Sequence, residues 1–189
     1  MKIGILALQG GVIEHLRLVE AAGAEAKIVR YSQDLEDIDG IILPGGESTT
    51  ISRILNRTNM MEDLRNRIIA GLPVWGTCAG MILLAKNLSN DDKVDGIKTM
   101  DITVRRNAYG TQIDSFNTLV NVPEVSENEI PLVFIRAPFI EKTGKNVKVI
   151  CEVNGHIVAA RQDNMLVSSF HPELTSNTDF HKYFINMCK

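Results

Sequence analysis

The chain has 189 residues, of which 44% are hydrophobic and 23% are charged. This length can bury a core without the help of a metal or a disulfide, so we expect a single domain over residues 1–189. The 20 Lys and Arg against 23 Asp and Glu give a net charge of −3, which disfavours a nucleic-acid-binding protein. Nowhere do about 18 apolar residues run together, which argues against a membrane protein.

The first half of the sequence alternates short apolar runs with helical periodicity. Runs at positions 3–8, 26–31, 38–43 and 73–76 predict four strands. Apolar residues spaced three or four apart predict one helix after the first strand and two after the third, and the continuous run at 81–85 predicts a buried helix. Strands that alternate with helices indicate a parallel sheet covered on both faces.

The second half has a different pattern. Apolar residues at every second position from Met100 to Val104 predict antiparallel strands. Asn154 and Gly155 predict a tight hairpin because both tolerate a positive φ, and a second reversal is expected at 162–164. A final helix is predicted from about Asp179. We therefore expect an α/β domain whose later strands extend or flank a central parallel sheet.

The three cysteines are not arranged as a disulfide framework or a zinc site. Cys78, Cys151 and Cys188 are an odd number and contain no CxxC pair. We therefore expect no metal and a reducing, cytoplasmic compartment. Cys151 lies on the apolar face of a predicted strand and Cys188 is next to the end of the chain, so both are interpreted as structural.

Cys78 is the candidate nucleophile. It is the centre of the segment Gly-Thr-Cys-Ala-Gly between a predicted strand and a predicted helix, which is the arrangement of a nucleophile elbow with Cys in place of Ser. The small flanking residues permit the sharp turn, and the N–H groups at the start of the helix, including that of Ala79, suit a thiolate and an oxyanion. The alternative is a buried structural cysteine.

His171 is the candidate base. The proline that follows favours an extended backbone, in which Glu173 projects to the same side and can orient the imidazole ring while the ring faces the thiol. The other histidines are interpreted as solvated or otherwise satisfied: His15 on a polar helix face, His156 beside a tight turn, and His181 near the end of the chain.

Two further features favour a substrate site. Gly45 and Gly46 follow a predicted strand and would let backbone N–H groups approach an oxyanion, although a plain turn is the alternative. Strand parity places Arg106 on the apolar side and Arg105 on the polar side. An inward arginine needs an anionic partner, which is either a substrate carboxylate or an internal salt bridge. Arg136, in an apolar run, has the same two interpretations.

Taken together, these motifs resemble the class I glutamine amidotransferases and, more closely, the glutaminase subunits of pyridoxal 5′-phosphate synthases. The elbow and the His-x-Glu motif define the superfamily, whereas the Gly-Gly-Glu-Ser and Phe-Ile-Arg-Ala-Pro segments make the narrower resemblance specific. The matching segments span nearly the whole chain, at residues 4–11, 43–50, 76–80, 106–110, 114–116, 134–138 and 171–173. The resemblance implies an α/β, three-layer flavodoxin-like fold with a central, mostly parallel sheet and additional antiparallel strands.

The resemblance also implies an activity and its residues. A triad of Cys78, His171 and Glu173 would hydrolyse L-glutamine to L-glutamate and ammonia, with oxyanion donors at Gly46 and Ala79. The ammonia would be channelled to the synthase subunit of a hetero-oligomeric complex, without a cofactor bound to this chain. The implied glutamine-binding residues are Gly46, Glu47, Ser48, Arg106, Ile135 and Arg136.

Three alternatives remain open at this point. A glutaminase that feeds another synthase, such as one of imidazole glycerol phosphate or guanylate synthesis, would keep the triad but not the segments at 106–116 and 134–138. A free-standing γ-glutamyl hydrolase would act without a partner. A non-enzymatic chaperone or redox sensor would use a reactive cysteine but would not need Glu173 two residues after His171.

Overall fold

The computed structural model of the protein describes residues 1–89, 94–106 and 115–189. Among these residues, no helix is long and apolar enough to cross a membrane. Single 3-10 turns lie at Ser32–Leu35 and Pro172–Leu174. The helices and strands in chain order are β1 (Lys2–Leu6), α1 (Val12–Ala21), β2 (Glu25–Val29), β3 (Gly40–Leu43), α2 (Ser48–Arg57), α3 (Met60–Ile69), β4 (Val74–Thr77), α4 (Ala79–Leu84), β5 (Ala85–Leu88), β6 (Met100–Arg105), β7 (Ser115–Asn121), β8 (Glu129–Ile135), β9 (Phe139–Thr143), β10 (Lys148–Val153), β11 (His156–Gln162), β12 (Met165–Ser168) and α5 (Asp179–Met187).

The main sheet has five parallel strands on one side and antiparallel neighbours on the other, where the outermost pair, β6 and β5, is parallel again. Its strand order is β2-β1-β3-β4-β12-β11-β9-β6-β5, and β10 pairs with β11. The first five strands in this order are parallel to one another, whereas β11 is antiparallel to both β12 and β9, and β6 is antiparallel to β9. Strands β7 and β8 form a separate antiparallel pair. The expected α/β fold is therefore confirmed, with later strands extending the parallel sheet.

Hydrophobic clusters cover both faces of the central strands. Ile41 belongs to the cluster that includes residues of α2, α3 and α4, whereas its neighbour Ile42 belongs to the cluster that includes residues of α1 and α5. The same division separates Val74 from Trp75, because successive side chains of a strand point to opposite faces. Burial on both faces explains why these strands appear in the sequence as continuous apolar runs.

The local predictions for the second half are largely confirmed. In β6, the side chains of Met100, Ile102 and Val104 are buried and alternate with more exposed ones, as the period of two predicts. The turn between β10 and β11 has positive φ at both Asn154 and Gly155. Strand β5, which pairs with β6 in parallel, was not predicted from the sequence. It directly follows α4, and its residues Lys86, Asn87 and Leu88 form neither a continuous apolar run nor an alternating pattern that would predict a strand.

Candidate active site

The carboxyl ends of β1, β3, β4 and β12 meet at one edge of the parallel sheet, where the chain forms a cavity of about 430 Å³. Such edges are the usual place for ligand sites in α/β folds. Nearly all the candidate residues of the sequence analysis converge on this cavity. Its lining residues are Gln9, Gly46, Glu47, Ser48, Cys78, Ile82, Arg106, Ile135, Arg136 and His171.

Cys78 occupies a strained turn between β4 and α4. Its backbone has φ 48° and ψ −101°, a conformation that a residue with a side chain adopts only when the surroundings enforce it. The backbone N–H of Cys78 donates to the carbonyl of Ser168 at 2.8 Å, which ties the turn to β12. A Cβ atom on Gly80 would lie 2.1 Å from the carbonyl oxygen of Leu43, so only glycine permits this approach. The strand-to-helix turn is therefore present where the sequence predicts it.

His171 and Glu173 are in direct contact. His171 Nδ1 lies 2.8 Å from Glu173 Oε1, and the His171 backbone N–H donates to the carbonyl of Val133 in β8 at 2.8 Å. The expected extended backbone is wrong, because Glu173 lies in the 3-10 turn that begins at Pro172. The turn still brings the two side chains together. Since the carboxylate accepts at Nδ1, the Nε2 atom of His171 is the one left for the thiol.

The electrostatic environment favours a charged His171. Burial acts to lower the pKa of this imidazole, but the Cys78 thiol and the Glu173 carboxylate outweigh it and raise the pKa to about 10. A cationic imidazole beside a cysteine is the arrangement that activates a thiol nucleophile. At the other two cysteines, burial is the main cause that raises the pKa, to about 11 for Cys151 and about 12 for Cys188. Such protonated thiols suit the structural role expected of them.

The Gly45–Gly46 turn packs directly beneath the base. A Cβ atom on Gly45 would lie 2.5 Å from His171 Cε1, and a Cβ atom on Gly10 would lie 1.6 Å from the carbonyl oxygen of Gly45. The Gly45 N–H donates to Thr77 Oγ1 at 2.9 Å, whereas Gly46 lines the cavity. The two glycines therefore bring backbone close to the nucleophile and the base, as an oxyanion loop requires.

Glu47 has a structural task besides lining the cavity. Its carboxylate caps α2 by accepting the backbone N–H groups of Thr49 and Thr50 at 3.1 and 2.7 Å. Burial would raise the pKa of Glu47, but hydrogen bonds from these two threonines lower it to about 2. The Glu47 N–H in turn donates to Gln9 Oε1 at 2.7 Å. The sequence pattern had suggested only a glutamine-binding role for Glu47, and the cap was not predicted.

The neighbouring arginines point in different directions, as strand parity predicts. Arg105 is about half exposed and pairs with Glu141 at 2.8 Å. Arg106 lines the cavity with its side chain 16% exposed, and its Nη2 atom lies 3.8 Å from Glu47 Oε1. Arg136 lines the same cavity, with a backbone φ of 43°. The matching segments at 107–110 and 114 lie outside the residues that the structure describes.

Two histidines lie in the core, one of them predicted on a polar helix face and the other near the end of the chain. His15 and His181 are completely buried, and His15 Nδ1 lies 3.0 Å from His181 Nε2. On its other side, His15 Nε2 lies 3.4 Å from Glu173 Oε2. The polar-face interpretation of His15 is therefore wrong. Its spacing of three and four residues from Leu18 and Val19 was the signal that it shares their buried face.

Comparison with known proteins identifies the family. A thiol at a strand-to-helix turn, with an imidazole and a carboxylate at the edge of a parallel sheet, is the arrangement of thiol-dependent amide hydrolases. The chain belongs to the SNO glutamine amidotransferase family, whose sequence profile matches residues 5–189. The expected glutamine amidotransferase function is thereby confirmed.

Individual relatives agree over the whole length. The chain is 55% identical over 189 residues to the pyridoxal 5′-phosphate synthase subunit PdxT of Clostridium kluyveri, covering 100% of both chains. It is 54% identical over 187 residues to the PdxT subunit of Clostridium acetobutylicum, covering 99% of this chain and 100% of the relative. A crystal structure of a glutamine amidotransferase has a TM-score of 0.93 at 38% identity, covering 98% of each chain.

Proposed function

We propose that this chain is the glutaminase subunit of a pyridoxal 5′-phosphate synthase, with Cys78, His171 and Glu173 as its catalytic triad. The observation that carries the proposal is the placement of Cys78 and His171 on one cavity, with Glu173 bonded to the far side of the imidazole at 2.8 Å. The family and the PdxT relatives support the substrate and the partner.

The first half of the reaction transfers the glutamyl group to sulfur. The Cys78 thiolate attacks the side-chain amide carbon of glutamine, and the carbonyl oxygen becomes an oxyanion held by the N–H groups of Gly46 and Ala79. The C–N bond then breaks as the His171 imidazolium gives its proton to the departing nitrogen, which leaves as ammonia. The product on the enzyme is a thioester.

The second half regenerates the thiolate. His171, now neutral, takes a proton from a water molecule that attacks the thioester carbonyl, and the same N–H groups hold the second oxyanion. The C–S bond breaks and the proton stays on His171 opposite the Cys78 thiolate, which restores the starting ion pair. The new γ-carboxyl group releases the second proton of the water to solvent as glutamate leaves. Glu173 stabilises the imidazolium and fixes its orientation in both halves.

The cavity offers groups of both charges for the two ends of an amino acid. The guanidinium groups of Arg106 and Arg136 suit the α-carboxylate of glutamine. Glu47, with its lowered pKa, stays ionised at neutral pH and suits the α-ammonium group. Ser48 and Ile135 complete the lining, one polar and one apolar. The remaining candidate, Gly46, contributes its backbone.

The beginning of α1 is the proposed docking surface for the synthase subunit. Ile13 in α1 and Leu174 in the nearby 3-10 turn are large apolar side chains that are 51% and 49% exposed. A Cβ atom on Gly11 would lie 2.9 Å from Glu173 Oε1, so this surface is directly behind the triad. A partner bound there could set the peptide orientation of the Gly45–Gly46 loop, whose missing donor would cost about 3 kcal/mol of transition-state stabilisation.

The test is ammonia release from glutamine by the purified chain, measured across a titration with the cognate synthase subunit. We expect turnover to rise with synthase and to saturate at a fixed stoichiometry. A turnover number that is already maximal without synthase would contradict the coupling and favour a free-standing hydrolase. Absence of glutamine hydrolysis in the saturated complex would overturn the proposed function.

A further inference from the structure

The triad carboxylate has a second imidazole partner on the side away from the cavity. Glu173 Oε1 is bonded to His171, and Glu173 Oε2 lies 3.4 Å from His15 Nε2. The Oε2 atom is buried and makes no hydrogen bond among the described residues, and the His15 imidazole at 3.4 Å is the group that the structure pairs with it. A buried carboxylate oxygen without a hydrogen-bond donor costs free energy, so a donor at this position would stabilise the carboxylate and hold its orientation.

The tautomer of His15 follows from its other neighbour. His15 Nδ1 and His181 Nε2 are 3.0 Å apart, so one of these atoms donates and the other accepts. If His15 donated from Nδ1, the lone pair of its Nε2 would face the carboxylate oxygen. His181 would then need its proton on Nδ1, which is buried and has no hydrogen-bond partner among the described residues. Donation from His181 Nε2 to His15 Nδ1 leaves a lone pair instead of an unsatisfied N–H on the buried His181 Nδ1, and it puts the His15 proton on Nε2, the atom that lies 3.4 Å from Glu173 Oε2.

Burial keeps both of these rings neutral. It lowers the pKa of His181 to about 3 and, together with the neighbouring His181 and His171, lowers the pKa of His15 well below its usual value. The indole of Trp75 packs edge-on against both rings, with centroid distances of 5.9 Å to His15 and 5.0 Å to His181. The pair is therefore a fixed, neutral hydrogen-bond donor in the core.

The same imidazole also approaches the support of the oxyanion loop. His15 Nε2 lies 3.5 Å from Thr77 Oγ1, the oxygen that accepts the Gly45 N–H at 2.9 Å. His15 is thus placed between the triad carboxylate and the strand end that anchors Gly45. A side chain that only filled the core would not need a donor at this point.

We propose that His15 is a positioning residue of the glutaminase site: its Nε2–H holds Glu173 Oε2, and His181 fixes the tautomer in which His15 can do so. The proposal rests on the proposed function for its effect on turnover. The orientation of Glu173, and through it that of His171, is then set from both sides of the carboxylate. His15 itself touches neither the substrate nor the reacting sulfur.

Kinetics of matched variants test the effect on catalysis in the complex with the synthase subunit. His15→Leu removes the donor and fills the space, whereas His15→Gln keeps an amide N–H near the position of Nε2. We expect kcat for ammonia release to fall about 10- to 100-fold in His15→Leu, the usual loss when the partner of an orienting group is removed, with KM within about 3-fold of wild type. His15→Gln should recover a large part of kcat. His156→Gln is the control, because the His156 ring stacks on Phe139 and does not line the cavity, and it should match wild type.

Nitrogen and proton NMR of the imidazoles tests the geometry independently of turnover. In the wild type we expect His15 and His181 to be protonated on Nε2 and unprotonated on Nδ1. The low-field proton of the His171 Nδ1–H bond should move upfield in His15→Leu and return in His15→Gln. This readout separates positioning from a general loss of stability, because a merely structural variant would leave the His171 signal unchanged.

Each outcome decides the proposal. Wild-type kcat in a folded His15→Leu variant, or a His15 proton found on Nδ1, would overturn it. If His15→Leu does not fold, as judged by circular dichroism, the wild-type tautomers and the His15→Gln signal still decide it. An inactive wild-type complex would overturn the proposed function instead, while the NMR comparison would continue to show whether His15 holds Glu173.

Discussion

The two sides of Glu173 present the same kind of side chain in opposite protonation states. On the cavity side, the thiol of Cys78 and the carboxylate raise the pKa of His171 to about 10 despite burial. On the core side, burial lowers the pKa of His181 to about 3 and that of His15 well below its usual value. One carboxylate therefore separates a charged imidazole from two neutral ones. All three side chains are imidazoles, so their different protonation states come from their different burial and charged neighbours.

The largest expected effect comes from breaking the cavity side alone. Cys78→Ala removes the nucleophile and little volume, so ammonia release in the complex should fall about 1000-fold or more while the fold survives. The NMR signals of His15 and His181 should not change. Cys151→Ala is the matched control, since its thiol is protonated at neutral pH, and it should keep near wild-type turnover. Retained hydrolysis in Cys78→Ala with normal circular dichroism would refute the triad.

Glu173→Gln acts on both sides at once. In the proposed arrangement the carboxylate accepts from both His171 and His15, whereas an amide has one oxygen, so one of the two N–H donors would meet an NH₂ group. We expect kcat to fall about 100- to 10,000-fold with a smaller change in KM, and the pKa of His171 to fall. His171→Asn should be more severe. An unchanged pH profile in Glu173→Gln would show that this carboxylate does not orient the base.

A smaller effect is expected for substrate capture on the cavity side. Arg106→Ala should raise KM for glutamine about 10- to 100-fold, which is the size expected for a lost charged hydrogen bond. Arg105→Ala is the matched control, because its partner is Glu141 on the exposed side of β6, and it should leave KM nearly unchanged. Equal glutamine affinity in wild type and Arg106→Ala would mean that Arg106 serves internal contacts, such as its ion pair with Glu47, and not substrate binding.

The smallest effect concerns the pH dependence of the free energy of unfolding, which distinguishes the neutral His15 and His181 from the charged His171. His15 and His181 have lowered pKa values in the folded state, so the unfolded chain binds more protons and stability falls as the pH drops below 6.5. Each histidine contributes a slope of up to about 1.4 kcal/mol per pH unit. His171 acts in the opposite window, because its raised pKa gives stability that is lost as the pH rises from 6.5 through about 10.

Urea unfolding between pH 6.5 and pH 4.5 measures this slope, above the range in which Glu47 titrates. His181→Gln keeps a donor for His15 and removes one titrating group. We expect its slope to be shallower than that of wild type by about one proton. Parallel curves would indicate that His181 is accessible to protons in the folded state.

Periodicity in the sequence was sufficient for most of the fold and for the placement of the arginines. The alternation along β6 separated Arg105 from Arg106, because a strand has only two faces and the apolar residues mark the inner one. Asn154 and Gly155 fixed a hairpin because few residues accept their backbone angles. These features depend on neighbours in the chain, which is why they could be predicted.

The histidine pair behind Glu173 could not be predicted in the same way. His15 and His181 are 166 positions apart and meet only after α1 and α5 pack on one face of the sheet. Neither histidine has a partner nearby in the sequence, unlike His171 with Glu173 two residues away. The 3-10 turn at Pro172 was also missed. A proline restricts the residue before it, here His171, which stays outside the turn, whereas the proline itself can begin a helical turn.

Trp75 makes the core side of the carboxylate observable by fluorescence. It is the one tryptophan of the chain, it is fully buried, and its ring lies against both His15 and His181. Its indole N–H donates to Ser168 Oγ at 3.1 Å, which fixes the ring in β4 beside β12. Protonated imidazole quenches indole emission, whereas neutral imidazole does so much less. The fluorescence intensity of Trp75 therefore reports the protonation of His15 and His181 without an added label.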